Sequence, residues 1–96
     1  MGEKRGESFV MTDAGGPLSF SAFILGLAST ALIHLGVTPN PETGQSIVDM
    51  VQARQAIDAL DLLRAKTRGN LTEEEEQLFA SVLTDLRMRY VEKSPA

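Results

Sequence analysis

The chain has 96 residues, no cysteine and a formal net charge of −4. This length corresponds to one domain, and the missing cysteines exclude stabilisation by disulfides. The negative charge argues against a nucleic-acid partner, and one histidine without any thiolate argues against a zinc-type site, so no cofactor is expected. Because a domain this short buries only about 60–65% of its unfolded surface, self-association is a common way to complete its core.

Residues 1–18 are predicted to form a flexible N-terminal arm. Beyond the apolar residues 9–11 they contain little that could join a core, and a Gly-Gly-Pro sequence at residues 15–17 disfavours regular structure. Acidic residues precede the apolar run that begins at Phe20, which does not match a secretory signal peptide. Together with the absence of cysteine, this pattern predicts a cytoplasmic protein.

The first of three predicted helices covers about residues 19–36. Ser19 or Ser21 is a candidate N-cap, and Gly36 stands where a glycine in the left-handed conformation would end the helix. Two prolines and a glycine follow in residues 38–44, which predicts a loop. This loop is read as a plain connector, with a binding loop as the alternative.

The second predicted helix covers about residues 47–68. Ser46 followed three residues later by Asp49 has the form of a capping box, and Gly69 ends the segment. Its stripe of apolar residues is broad enough to face a core, but Val51 and Leu62 fall on the opposite side. They are read as isolated exposed apolar residues, and the alternative is a secondary contact surface.

The third predicted helix covers about residues 73–92, and a short tail follows at 93–96. Thr72 and Glu75 form a capping box at its start, and its apolar residues recur at helical spacing. The short connection after the second helix predicts an antiparallel helical hairpin. No strand pattern is present, so the fold class is all-α, with residues 19–92 as one helical domain.

The first helix is unusual because no acidic residue, lysine or arginine occurs between Phe20 and Val37. A helix without a polar face has to be surrounded, and the hairpin can cover only part of it. We therefore expect oligomerisation to complete the fold through the side that the hairpin leaves open. The predicted oligomer interface consists of Ala22, Leu25, Gly26, Ser29, Leu32 and Ile33.

The residues capable of chemistry do not form a catalytic constellation, so the chain is predicted not to be an enzyme. His34 lacks a nucleophile or an orienting carboxylate at a recognisable spacing, and it is read as a buried or interface histidine rather than a general base. Four consecutive glutamates at 73–76 point about 100° apart on a helix, so they do not converge on one metal ion. They match the positive end of the helix dipole instead.

Several motifs, taken together, resemble an uncharacterised bacterial family, domain of unknown function 1844. The resemblance covers about residues 19–92 and rests on Phe20–Ile24, Leu27–Ser29, His34–Gly36, Pro39–Gly44, Ile57–Asp58, Lys66–Thr72, Glu75–Glu76 and Leu86–Val91. Asn40 stands where that pattern has aspartate, and Arg68 stands where it has lysine. The resemblance implies a bacterial, helical, cytosolic protein and supplies no catalytic residues.

The leading hypothesis is therefore a homo-oligomeric protein–protein interaction module that binds itself and an unknown protein partner. The first alternative is a membrane-associated protein anchored by residues 20–37, a run that is somewhat short for the roughly 20 residues that span a bilayer. A weaker alternative is an accessory factor of translation or of another nucleic-acid machine, which would use Arg87, Arg89 and Lys93.

Overall fold

The fold is a bundle of three α-helices, seen in a computed structural model that describes residues 18–95. The helices are α1 (Phe20–His34), α2 (Met50–Lys66) and α3 (Glu73–Lys93), and the described part of the chain contains no strand. The all-α prediction is therefore confirmed. The predicted N-terminal arm lies outside the described residues except for Leu18.

Local side-chain and backbone hydrogen bonds define both ends of α1. The Ser19 hydroxyl accepts a hydrogen bond from the backbone N–H of Ala22 at 3.0 Å, so Ser19 is the N-cap. At the other end, the N–H of Val37 donates to the carbonyl of Leu32, and the N–H of Gly36 donates to the carbonyl of Ile33. Both bonds are 3.0 Å long and form a Schellman motif, which Gly36 permits with a φ of +76°.

The start of α2 differs from the prediction, because the helix begins at Met50 rather than near Ile47. Asp49 is the N-cap, and its carboxylate accepts from the backbone N–H of Gln52 at 3.1 Å. The interpretation of Ser46 as the cap was wrong. The backbone N–H of Asp49 donates to the carbonyl of His34 at 2.7 Å, which ties the start of α2 to the end of α1.

The capping box predicted for α3 is confirmed. The Thr72 hydroxyl accepts from the N–H of Glu75 at 3.1 Å, and the Glu75 carboxylate accepts from the N–H of Thr72 at 2.9 Å. Arg64, near the end of α2, lies 3.7 Å from Glu76 in the first turn of α3. Helices α2 and α3 therefore form the antiparallel hairpin that the short connection predicted.

All three helices contribute to one core, and Phe79 is its largest fully buried side chain. The Phe79 ring packs against Phe20, with 5.9 Å between the ring centroids. The other core residues are Ile24, Ala28, Ala31, Leu35, Ala53, Ile57, Leu60, Leu83 and Leu86. On α1, the large side chain of Phe23 is 41% exposed, whereas the smaller Ala28 is buried.

Candidate functional site

The side of α1 that faces away from the core lies about 180° around the helix from Ile24, Ala31 and Leu35. We call this side the outer face of α1 and define it by the residues Ala22, Leu25, Gly26, Ser29, Thr30 and Ile33. Its central line has the alternating spacing of four, three and four residues that is typical of a helix–helix contact. The residues on that line are Ala22, Gly26, Ser29 and Ile33.

Most of the outer face is open to solvent. Ala22, Gly26 and Ser29 are exposed, and Leu25, a large apolar side chain, is 49% exposed. A Cβ atom added to Gly26 would meet no other atom within 4 Å, so this chain leaves the space above Gly26 empty. The Thr30 hydroxyl donates to the carbonyl of Gly26 at 3.3 Å, which keeps this polar group bonded within the helix. The outer face therefore carries no charged side chain, and its residues are apolar or small and polar.

Two of the six residues predicted for the interface are less accessible than the others. Leu32 is half-buried because it packs against the core. Ile33 is half-buried and, together with His34 and Ile47, it lines a cavity of about 260 Å³. The structure thus brings Ala22, Leu25, Gly26, Ser29 and Ile33 to the outer face, while Leu32 lies at its edge.

The connection between α1 and α2, residues 35–49, borders the outer face at its C-terminal end. Its tip is closed by hydrogen bonds from the N–H of Asn40 to the carbonyl of Gln45 at 2.8 Å and from the N–H of Gly44 to the carbonyl of Asn40 at 2.7 Å. The Asn40 side chain also accepts from the N–H of Glu42 at 2.8 Å. These bonds give the α1–α2 loop a defined shape, in contrast to an irregular linker.

The α1–α2 loop carries exposed apolar side chains that the sequence interpretation missed. Ile47 is 63% exposed, and Val48 is partly exposed and lies against Gly36. Both were assigned to the second helix, so they were not considered as surface residues. Ile47 lines the same cavity as Ile33, so the loop brings an exposed apolar side chain to the C-terminal end of the outer face.

Val51 and Leu62, the possible secondary contact, both lie exposed on α2. Eleven residues separate them, which corresponds to about 16 Å along the helix. The charged pair Arg54 and Asp58 occupies the same helix between them, with 3.4 Å between Arg54 Nε and Asp58 Oδ2. The structure therefore does not bring the two residues together into one apolar patch.

The two arginines proposed for contact with nucleic acid, Arg87 and Arg89, form ion pairs with carboxylates of the hairpin. Arg87 lies 2.8 Å from Asp61 of α2, and Arg89 lies 2.9 Å from Asp85 one turn earlier on α3. Lys93 is in the last turn of α3, where a positive charge is favourable next to the helix dipole. The basic residues thus alternate with acids along the hairpin and do not form a continuous positive surface.

His34 is half-buried at the last position of α1 and lines the cavity beneath the α1–α2 loop. Two polar residues of that cavity form local hydrogen bonds that stabilise the loop and the start of α2. The Thr43 hydroxyl accepts from the N–H of Gln45, and the Asp49 carboxylate caps α2. Among residues 18–95, no three side chains of His, Cys, Asp or Glu converge in a group suited to a metal ion.

Within the part of the chain that the structure describes, no helix has the length and the apolar character needed to cross a membrane.

A family model with the description Domain of unknown function (DUF1844) matches residues 17–92. This match covers most of the 96 residues, so the chain belongs to that family, and the resemblance drawn from residues 19–92 is confirmed. Searches among curated proteins and among solved structures gave no significant match.

Proposed function

We propose that this member of the DUF1844 family is a homo-oligomeric protein–protein interaction module of the cytoplasm, without catalytic activity, that associates through the outer face of α1. One observation carries the proposal. One side of α1 lies at the surface, yet none of its exposed residues is charged. The exposed residues of α1 are Ala22, Phe23, Leu25, Gly26, Ser29 and Thr30.

The exposed sides of α2 and α3 provide an internal comparison. Each carries ion pairs, such as Arg54 with Asp58 on α2 and Arg89 with Asp85 on α3. Exposed apolar residues also occur on these helices, namely Val51, Leu62, Met88 and Val91, but charged residues stand on the same exposed sides. Charged residues are depleted at the centre of protein–protein interfaces, and among the three helices within residues 18–95 only α1 shows that depletion over its whole exposed side.

The proposal is tested by the absolute mass of the full chain, measured by light scattering behind a sizing column in detergent-free buffer. We expect a dimer or a higher oligomer at micromolar concentration, and a monomer at that concentration would disprove the proposal. The Leu25→Lys variant should dissociate the oligomer, whereas Met88→Lys, a comparable exposed position on α3, should leave the mass unchanged.

The size of the Leu25→Lys effect follows from the exposed fraction of the Leu25 side chain. Burying a whole leucine side chain is worth about 1.5–3 kcal/mol, and about half of Leu25 is already buried in one chain. A symmetric dimer contains this site twice, so the loss is about 1.5–3 kcal/mol in total. The dissociation constant should rise by about 10- to 150-fold, and burial of the lysine charge would raise it further.

The membrane-associated and nucleic-acid alternatives predict different results in light scattering, in cell fractionation and in RNA-binding experiments. A protein that requires detergent to stay in solution, or that is recovered with membranes on fractionation, would favour the membrane-associated alternative. RNA binding that weakens steeply with salt and is lost in Arg87→Ala would favour the nucleic-acid alternative. The pairing of Arg87 with Asp61 supports a structural role for this arginine instead.

A further inference from the structure

We infer that the cavity beneath the α1–α2 loop is a binding pocket for a basic side chain of a partner protein, above all the guanidinium group of an arginine. The polar residues that line it are His34, Asn40, Thr43, Gln45 and Asp49, and the apolar ones are Ile33 and Ile47. All of them belong to one chain, so the inference goes beyond the proposed self-association and does not depend on it.

The charge around this cavity favours a cationic ligand. Between Phe20 and Asp49 the chain contains two acidic residues, Glu42 and Asp49, and neither a lysine nor an arginine. The cavity lies where α1 ends and α2 begins, so the partial charges of about −0.5 and +0.5 at these helix ends largely cancel. Among the described residues, Asp49 is the one acid that lines the cavity, and its carboxylate leaves a net negative charge there when His34 is neutral. An anionic ligand would therefore be repelled.

The cavity also contains hydrogen-bond acceptors that suit a guanidinium group. Asp49 Oδ1 accepts from the backbone N–H of Gln52 at 3.1 Å, but an ionised carboxylate has about four acceptor positions. The side-chain oxygens of Asn40 and Thr43 each accept one backbone N–H, at 2.8 and 3.2 Å, and each oxygen has a second lone pair. These local bonds hold the acceptors in place before a ligand arrives, which lowers the entropic cost of binding. The planar guanidinium fork, with about five N–H donors, can use several such acceptors at once.

The size and the apolar part of the cavity match the rest of an arginine side chain. At about 30 Å³ per water molecule, the volume of about 260 Å³ corresponds to roughly nine waters, and an arginine side chain has about seven non-hydrogen atoms. Ile33 is half-buried and Ile47 is 63% exposed, so both provide apolar surface beside the polar groups. An arginine has the same division, because its methylene stem packs on apolar surface while its charged head contacts polar groups.

An NMR titration of the full chain, labelled with ¹⁵N, tests this pocket with a defined probe. The probe is N-acetyl-arginine amide, and its matched control is N-acetyl-citrulline amide, which has nearly the same shape but no charge. We expect the arginine probe to shift the backbone amide signals of Thr43, Gln45 and Ile47, with a dissociation constant on the order of millimolar. Because charge-assisted hydrogen bonds are about twice as strong as neutral ones, the citrulline probe should bind at least about fivefold more weakly.

Two variants separate the charge of the pocket from its apolar surface. Asp49→Asn removes the charge but keeps the N-cap of α2, because asparagine and aspartate cap helices about equally well. It should bind the arginine probe about fivefold more weakly at unchanged stability, whereas Asp58→Asn, the same change of charge outside the cavity, should leave the affinity unchanged. Ile47→Ala should weaken the arginine probe by about threefold and leave the free guanidinium ion, which has no stem, unaffected.

Several results would overturn this inference. They are equal affinity for the two probes, unchanged affinity in a folded Asp49→Asn variant, shifts confined to residues outside the α1–α2 loop, and no shift at a probe concentration on the order of 10 mM. Light scattering on the same samples separates failure of this inference from failure of the proposed function. A monomer that binds the arginine probe disproves self-association and supports the pocket, whereas an oligomer that does not bind it disproves the pocket alone.

Discussion

Replacing Gly36 with alanine is expected to lower the free energy of unfolding by about 2–3 kcal/mol. Gly36 has a φ of +76°, and an L-residue with a side chain costs about 1–2 kcal/mol in this left-handed region. A Cβ atom at this position would also lie 2.8 Å from Cγ2 of Val48. Overpacking costs about 1–3 kcal/mol, and the lower end applies here because Val48 is partly exposed and has room to move.

Two other glycines separate the backbone cost from the contact with Val48. Gly44 and Gly69 have φ angles of +74° and +87°, but a Cβ atom on either would meet no atom within 4 Å. Gly44→Ala and Gly69→Ala should therefore lose only the backbone contribution of about 1–2 kcal/mol. The measurement is urea unfolding at one fixed chain concentration, because the stability of an oligomer depends on concentration.

A double-mutant cycle with Val48→Ala isolates the contact itself. Val48→Ala removes the crowded methyl group, so Gly36→Ala should cost about 1 kcal/mol less in that background than in the wild-type chain. If Gly36→Ala costs the same as Gly44→Ala, and the cycle shows no coupling, Val48 does not pack over the end of α1. The position assigned to the α1–α2 loop would then be wrong.

Three further predictions concern the helix ends and the outer face. Asp49→Ala should cost about 1 kcal/mol, whereas Ser46→Ala should stay within about 0.5 kcal/mol in the same unfolding assay; equal effects would contradict Asp49 as the cap of α2. Thr72→Ala should cost about 1 kcal/mol by removing the capping box, and a neutral result would contradict that pairing. Gly26→Leu should stabilise α1 within one chain, by roughly 0.5–1 kcal/mol, yet reduce the oligomer mass; an unchanged mass would show that α1 helices do not meet there.

Features that depend on a few adjacent residues could be predicted from the sequence. The capping box of Thr72 and Glu75 involves only the first turn of α3, and Gly36 ends α1 through bonds to its own last turn. The start of α2 could not be located in this way, because both Ser46 and Asp49 are suitable caps. The bond from Asp49 to the carbonyl of His34 favours Asp49, and that contact exists only once the chain has folded back on α1.

The orientation of α1 was harder to predict because a nearly uniform apolar helix gives no polar side to define the outward direction. Side-chain size alone would favour burial of Phe23, but the structure buries Ala28 and Ala31 and leaves Phe23 partly exposed. Small side chains let helices approach closely, so the shape of the contact, which hydrophobicity alone does not encode, decides which residues face α2 and α3. The predicted interface residues Ala22 and Gly26 nevertheless lie exposed, on the side away from that contact.

Stability and the proposed association are linked through Gly36. The left-handed turn at Gly36 redirects the chain, and the bond from Asp49 to His34 then returns the α1–α2 loop to the end of α1. This path brings the exposed side chain of Ile47 to the cavity that Ile33 also lines, at the C-terminal end of the outer face. A substitution that displaces the α1–α2 loop should therefore weaken self-association by more than the loss of stability explains. Gly69→Ala, with a similar φ but a position between α2 and α3, should affect stability alone.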